Sequence, residues 1–139
     1  MVNRALLLGA ISGLVLSGTV LAATPSPDGA RAYIVSPADG ATVTSPVKVQ
    51  FGLDGMEVVP AGTDKANSGH HHLLIDTAAP AMDKPIPKDD KHVHFGKGQT
   101  EAMLDLKPGT HTLQLMLGDK AHVPHSPAVM SDKITITVQ

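Results

Sequence analysis

Histidine is the residue to follow in this chain. There are eight, all between His70 and His125, and three stand in a row in the stretch GHHHLLID, Gly69 to Asp76. Each neutral imidazole offers a nitrogen lone pair, which makes histidine the commonest metal-ligating side chain. His70 and His72 are two residues apart, a spacing that puts both on one face of a strand. His92 and His94 repeat it, and His122 and His125 stand close together further on. The candidate metal ligands are therefore His70, His72, His92, His94, His122 and His125. His71 shares the inward face of Leu73 and Ile75, where a buried imidazole hydrogen-bonded to a loop carbonyl competes with ligation. His111 shares the face of Leu113 and reads as structural.

Imidazole suits zinc, copper and nickel, and intrinsic affinity favours copper. The chain has no cysteine, so a blue-copper centre is excluded and a zinc centre would be all-histidine or mixed with carboxylate. A copper or zinc ion is the expected cofactor. Asp64 and Asp119 are the oxygen alternatives. Met82 and Met130 are the thioether ones, for which ordinary filling of core or loop weighs more. Other chemistries lack their residues. No Ser-His-Asp order occurs, and Gly96-Lys97-Gly98 lacks the spacing of a phosphate-binding loop. No catalytic residue and no organic-cofactor site is assigned. A net charge of −2 gives no electrostatic case for nucleic acid or for an anionic membrane.

The elements that must position these histidines are strands. Val47, Val49 and Phe51 alternate with Lys48 and Gln50 in Pro46 to Leu53. The same period of two runs through Arg31 to Val35, His70 to Asp76, Thr100 to Leu106, Thr110 to Leu117 and Asp132 to Val138. The inward set is Val47, Val49, Phe51, Leu73, Ile75, Leu104, Leu106, Leu113, Leu115, Leu117, Ile134, Ile136 and Val138. Asp54-Gly55 signals a turn or bulge, after which Met56 to Val59 extends the preceding strand. Thr77 to Lys91, rich in Pro, Lys and Asp, has room for one short edge strand. Six or seven strands and no helical period predict an all-β, immunoglobulin-like antiparallel sandwich, with a small Greek-key barrel as the alternative. If successive strands run antiparallel, His70, His72, His94 and His122 meet at one pole, with His92 and His125 nearby and His111 remote.

The amino-terminal stretch has a different character. Arg4 precedes a run from Ala5 to Val20 that is almost wholly apolar or small, and Val20-Leu21-Ala22 is a small-residue cleavage pattern. Residues 1–22 read as a secretory signal peptide cleaved after Ala22 or Ala23, too short and wrongly flanked to be a membrane span. The expected location is periplasmic or secreted. Residues 23–30 read as a flexible leader and 31–139 as a single domain, a mature chain of about 116 residues. The partners expected are a metal ion and another protein of the envelope, with no membrane span in the mature chain.

The stretches GHHHLLID, HFGKGQTE and LKPGTHTLQL together resemble an uncharacterised family of small exported bacterial proteins, domain of unknown function 4399. The resemblance implies an exported single-domain protein and carries no activity with it. SPADGATV at Ser36 to Val43, with LKPGT and GDKAH, is similar to CopC-type periplasmic copper carriers, which are β-sandwiches. That family uses an amino-terminal histidine and an Asp-x-His pair. Here the mature chain begins at Ala23 or Thr24, and the pair is stretched to Asp119 and His122. HVHFG at His92 to Gly96 resembles the copper-binding segment of Cu/Zn superoxide dismutases, but the disulfide and active-site arginine of that family have no counterpart. The functional expectation is a non-catalytic copper or zinc carrier or buffer. A sandwich-type interaction module and a metalloenzyme are the alternatives.

Overall fold

A computed structural model describes residues 9–10, 12–14 and 23–139. The expected signal peptide, 1–22, falls mostly outside them. The described residues form nine strands and no helix. The strands are β1 (Arg31–Ser36), β2 (Thr42–Val43), β3 (Val47–Asp54), β4 (Glu57–Val58), β5 (Ser68–Ile75), β6 (His92–His94), β7 (Glu101–Leu104), β8 (Gly109–Gly118) and β9 (Ile134–Val138). One sheet has the order β1-β3-β7. The other has the order β2-β9-β8-β5-β4, with β6 also paired to β5. The fold is thus an all-β sandwich, as the alternation predicts.

The side chains that fill it are those the period of two selects. Val47, Val49 and Phe51 from one sheet meet Leu73, Ile75, Leu113, Leu115, Leu117, Ile134, Ile136 and Val138 from the other in a single buried cluster. Leu106 is the exception. It lies beyond the end of β7 and only partly buries itself against that cluster. Burying an aliphatic side chain is worth about 1.5–3 kcal/mol. With no disulfide to assist, this core carries the fold.

Two short strands depart from the expected layout. Met56 to Val59 does not prolong β3. Gly55 takes a positive φ of 78°, a conformation open to glycine, and the chain leaves its sheet to pair β4 parallel with the head of β5, Glu57 opposite Ser68. The tail of that same edge is taken by β6, antiparallel, with His72 opposite His94 and Leu74 opposite His92. Three residues are too few for a period to show, so His-Val-His reads as loop until its partner strand is known. β5 is consequently flanked on both edges and buried along all eight residues.

The outer face of β5 is buried as well. Leu74 and Met116 are at most 1 % exposed, yet they stand outside the inter-sheet core, as does Ile86. The cover comes from the loops on either side of this face, joined where the Ile86 amide donates to the His122 carbonyl at 2.8 Å. This second, smaller buried layer is where the histidines lie.

Candidate metal centre

β5 contributes two imidazoles through its alternation. His70 and His72 point to the outer face, are each 1 % exposed, and hold their ring centroids 4.7 Å apart. β6 brings a third by register. His94 is the direct cross-strand partner of His72, with centroids 5.1 Å apart. The fourth, His122, comes from the turn after β8, at a positive φ of 66°. Its Nδ1 lies 3.0 Å from His70 Nε2, one nitrogen donating to the other. One nitrogen from each of the four rings lies within 4.8 Å of the other three.

Two glycines make room for the rings. A Cβ on Gly118, which faces His70 across the ladder, would sit 2.6 Å from His72 Cε1. A Cβ on Gly96 would run into the ring of His94. Both needs are invisible in sequence, where each glycine reads only as a turn residue.

The electrostatics favour neutral rings. Burial, aided by neighbouring imidazoles, lowers the pKa of His70 to about 4 and that of His72 to about 3. His94 is lowered too, by burial first and then by His122 and Lys88. These rings carry lone pairs rather than protons at neutral pH. His72 Nδ1 and His94 Nε2 are buried without a hydrogen-bond partner. An unpaired buried polar atom costs about 1–3 kcal/mol, so such atoms call for a partner. Zn–N bonds of 2.0–2.1 Å in a tetrahedron separate ligand nitrogens by about 3.3 Å. The four ligand nitrogens lie within 4.8 Å of one another, and the His70–His122 pair is already at 3.0 Å, so holding an ion requires the wider pairs to draw together.

The group is open on one side. His72, His94 and His122 line a pocket of about 140 Å³ completed by Pro85, Ile86 and Lys88. This histidine group can therefore hold a metal ion.

The other candidates lie elsewhere. His92 is on the same strand as His94, but its Nδ1 is 2.7 Å from Asp89 Oδ1, outside the cluster. His125 is buried, with Nε2 donating to the Ser68 carbonyl at 3.1 Å. Asp119 is a brace, not a cluster member. Its Oδ1 accepts from the amides of Ala121 and Val123 at 2.8 and 3.0 Å, and its Oδ2 from Thr24 Oγ1 at 2.8 Å. Burial pushes its carboxyl up, but these hydrogen bonds outweigh burial and hold it below the ordinary range. Asp64 pairs with Lys120 at the surface. Met82 is 43 % exposed, and Met130 lines a separate groove beside Tyr33.

Two histidines outside the candidate set complete the picture. His71 is fully buried in the inter-sheet core, 5.2 Å from the Phe51 ring between centroids. Neither of its nitrogens has a partner, so the expected bond to a loop carbonyl does not form. His111 is at the other end of the sheet. Its Nδ1 lies 2.7 Å from Asp76 Oδ2, and its Nε2 is 2.7 Å from the Lys107 carbonyl.

The convergence of His70, His72, His94 and His122 thus occurs, at the head of β5 where β8 ends, and on the outer face of the six-stranded sheet. The difference from the expected layout is β6. Its pairing sets His94 beside His72, where strand direction alone left it in a connecting loop. Against known proteins, residues 49–139 match the family model described as Domain of unknown function (DUF4399). The chain belongs to that family. No curated protein and no solved structure gives a significant match.

Proposed function

We propose that this chain is an exported, non-catalytic metal-binding protein that carries or buffers one copper or zinc ion through His70, His72, His94 and His122. One observation carries the reading: four imidazoles present nitrogens within 4.8 Å of one another, and two of those rings, His72 and His94, keep buried, unpartnered nitrogens. Crowding imidazoles this way is costly without a cation to accept the lone pairs. All-nitrogen donors suit Cu(II) and Zn(II) in preference to hard, oxygen-seeking ions. Export rests on the amino-terminal pattern of Arg4 and the apolar run after it. Another envelope protein is the natural donor or acceptor for such an ion.

A second reading has one observation in its favour. The pocket over His72, His94 and His122 leaves one side of a bound ion open, which is what a catalytic metal requires. The experiment that tests the primary reading is metal analysis of untagged protein, followed by thermal melts with stoichiometric Cu(II) or Zn(II). One ion per chain and a raised midpoint are expected, both lost in a His70→Ala/His72→Ala/His94→Ala variant. Equal midpoints in wild type and variant would sink it, leaving an interaction module.

A further inference from the structure

We propose that Thr24–Ser26 is a strap that positions His122 and thereby governs the ion affinity of the centre. The inference rests on the metal-binding reading above. His122 is the one cluster member not carried by a strand, so its ring is placed only as well as its turn is held. That turn is folded around Asp119, whose carbonyl accepts the His122 amide at 2.9 Å while Oδ1 gathers the amides of Ala121 and Val123. The second carboxylate oxygen of Asp119 is occupied by Thr24 Oγ1 at 2.8 Å.

The strap also holds the far end of the same loop. The Ser126 amide donates to the Thr24 carbonyl at 3.0 Å, and the Ser26 amide to the Ser126 carbonyl at 3.3 Å. Ser26 Oγ adds a bond to the Pro127 carbonyl at 2.6 Å. Residues expected to belong to a flexible leader are therefore bonded to both ends of the loop that presents His122. No residue of the strap lines the pocket over the imidazoles. Its influence on an ion must pass through the turn, which makes Thr24 and Ser26 positioning residues and not ligands.

The coupling has a physical basis. A ligand on a loosely held turn must be ordered when the ion binds, and that ordering subtracts from affinity. Residues that orient metal ligands from outside the coordination shell typically change affinity 10–100-fold when removed.

The test compares four forms of the untagged chain: wild type, Thr24→Val, Thr24→Ser and a deletion of residues 24–27. Zn(II) affinity is measured by chelator competition, the Co(II) absorption spectrum reports the number of nitrogen ligands, and far-ultraviolet dichroism confirms the sheet. Thr24→Val should weaken Zn(II) about tenfold and the deletion about a hundredfold, the two ends of the range for orienting residues. Thr24→Ser, which keeps the hydroxyl, should restore wild-type affinity. The Co(II) bands of the deletion should shift and weaken as His122 drops out. If wild type binds and the folded deletion variant binds equally with an unchanged spectrum, the strap is wrong and the metal site stands. A wild-type chain that takes up neither ion overturns the metal-binding reading and this inference with it.

Discussion

The two ends of β5 hold histidine in opposite states. At its head, His70 and His72 meet His94 and His122 under a covering layer, with burial driving the His70 and His72 rings toward neutrality. Just past its tail, Asp76 faces His111 across 2.7 Å, and that bond, with the Lys107 carbonyl, raises the imidazole pKa above its ordinary value. At one end burial outweighs the nearby Asp119 charge and disfavours protonated rings at His70 and His72. The other binds its proton more tightly than a free imidazole and satisfies both nitrogens. The same side chain is thus a candidate ligand at one end and an ion-pair partner at the other. Residue type alone does not say which.

The largest effect expected of this contrast is acid sensitivity. His71, on the inner face of the same head, is lowered from 6.5 to about 4 by burial alone. Below pH 6.5 the unfolded chain takes up a proton that the folded chain refuses until about pH 4. Stability therefore falls as pH drops through that window. For His71 the loss is about 3 kcal/mol, because each tenfold difference in proton affinity between folded and unfolded chain is worth about 1.4 kcal/mol. His70 and His72 push in the same direction. Urea titrations of metal-free protein at pH 7, 6, 5 and 4 should show the midpoint falling steadily. A flat profile would mean that the head histidines are hydrated.

Metal should oppose that fall. At a hundredfold excess over its dissociation constant, an ion bound only to the folded state adds about 2.7 kcal/mol. The gain should shrink below about pH 6, because protons compete for the same nitrogens. Calorimetric melts at pH 7.5 and 5.5 with and without Zn(II) check both statements. A pH-independent gain would place the ion on carboxylates instead.

A third change separates the two faces of β5. His71→Leu removes two unpartnered buried nitrogens and keeps an apolar side chain of similar size beside Phe51. It should stabilise the metal-free protein by about 1–3 kcal/mol and flatten the pH profile, while Zn(II) affinity stays as in wild type. A loss of affinity would show that the inner histidine supports the outer pair.

The smallest effect belongs to the tail. Asp76→Asn removes the carboxylate that raises the His111 pKa, and Asp76 is substantially exposed. A pair in that setting is worth about 1 kcal/mol or less. The sign is opposite to that at the head. The raised His111 pKa adds stability that is fully present below about pH 6.5 and fades as pH rises through the folded value. Asp76→Asn should cost most at pH 6 and least at pH 9 in denaturant titrations. An equal cost at both would assign the loss to the bond between Asp76 and the Thr112 amide.

The period of two in Val47–Phe51, Leu73–Ile75, Leu113–Leu117 and Ile134–Val138 was enough to predict a sandwich, its core and the shared face of His70 and His72. Those are local consequences of pleating, since alternate side chains of one strand must point the same way. Which of the remaining histidines join that face is not local. His92 and His94 share a spacing and a strand, yet Asp89 claims one while the register against β5 delivers the other to the cluster. His122 and His125 share a turn, yet one ring faces His70 and the other bonds to Ser68. Spacing along the chain carries no information about such pairings, because they are set by contacts between segments tens of residues apart. The sequence by itself determined that histidines would be displayed on strands and loops of a β-sandwich. Only the tertiary structure decided which four share a site, because cross-strand register and loop docking arise when the sheets close over their core.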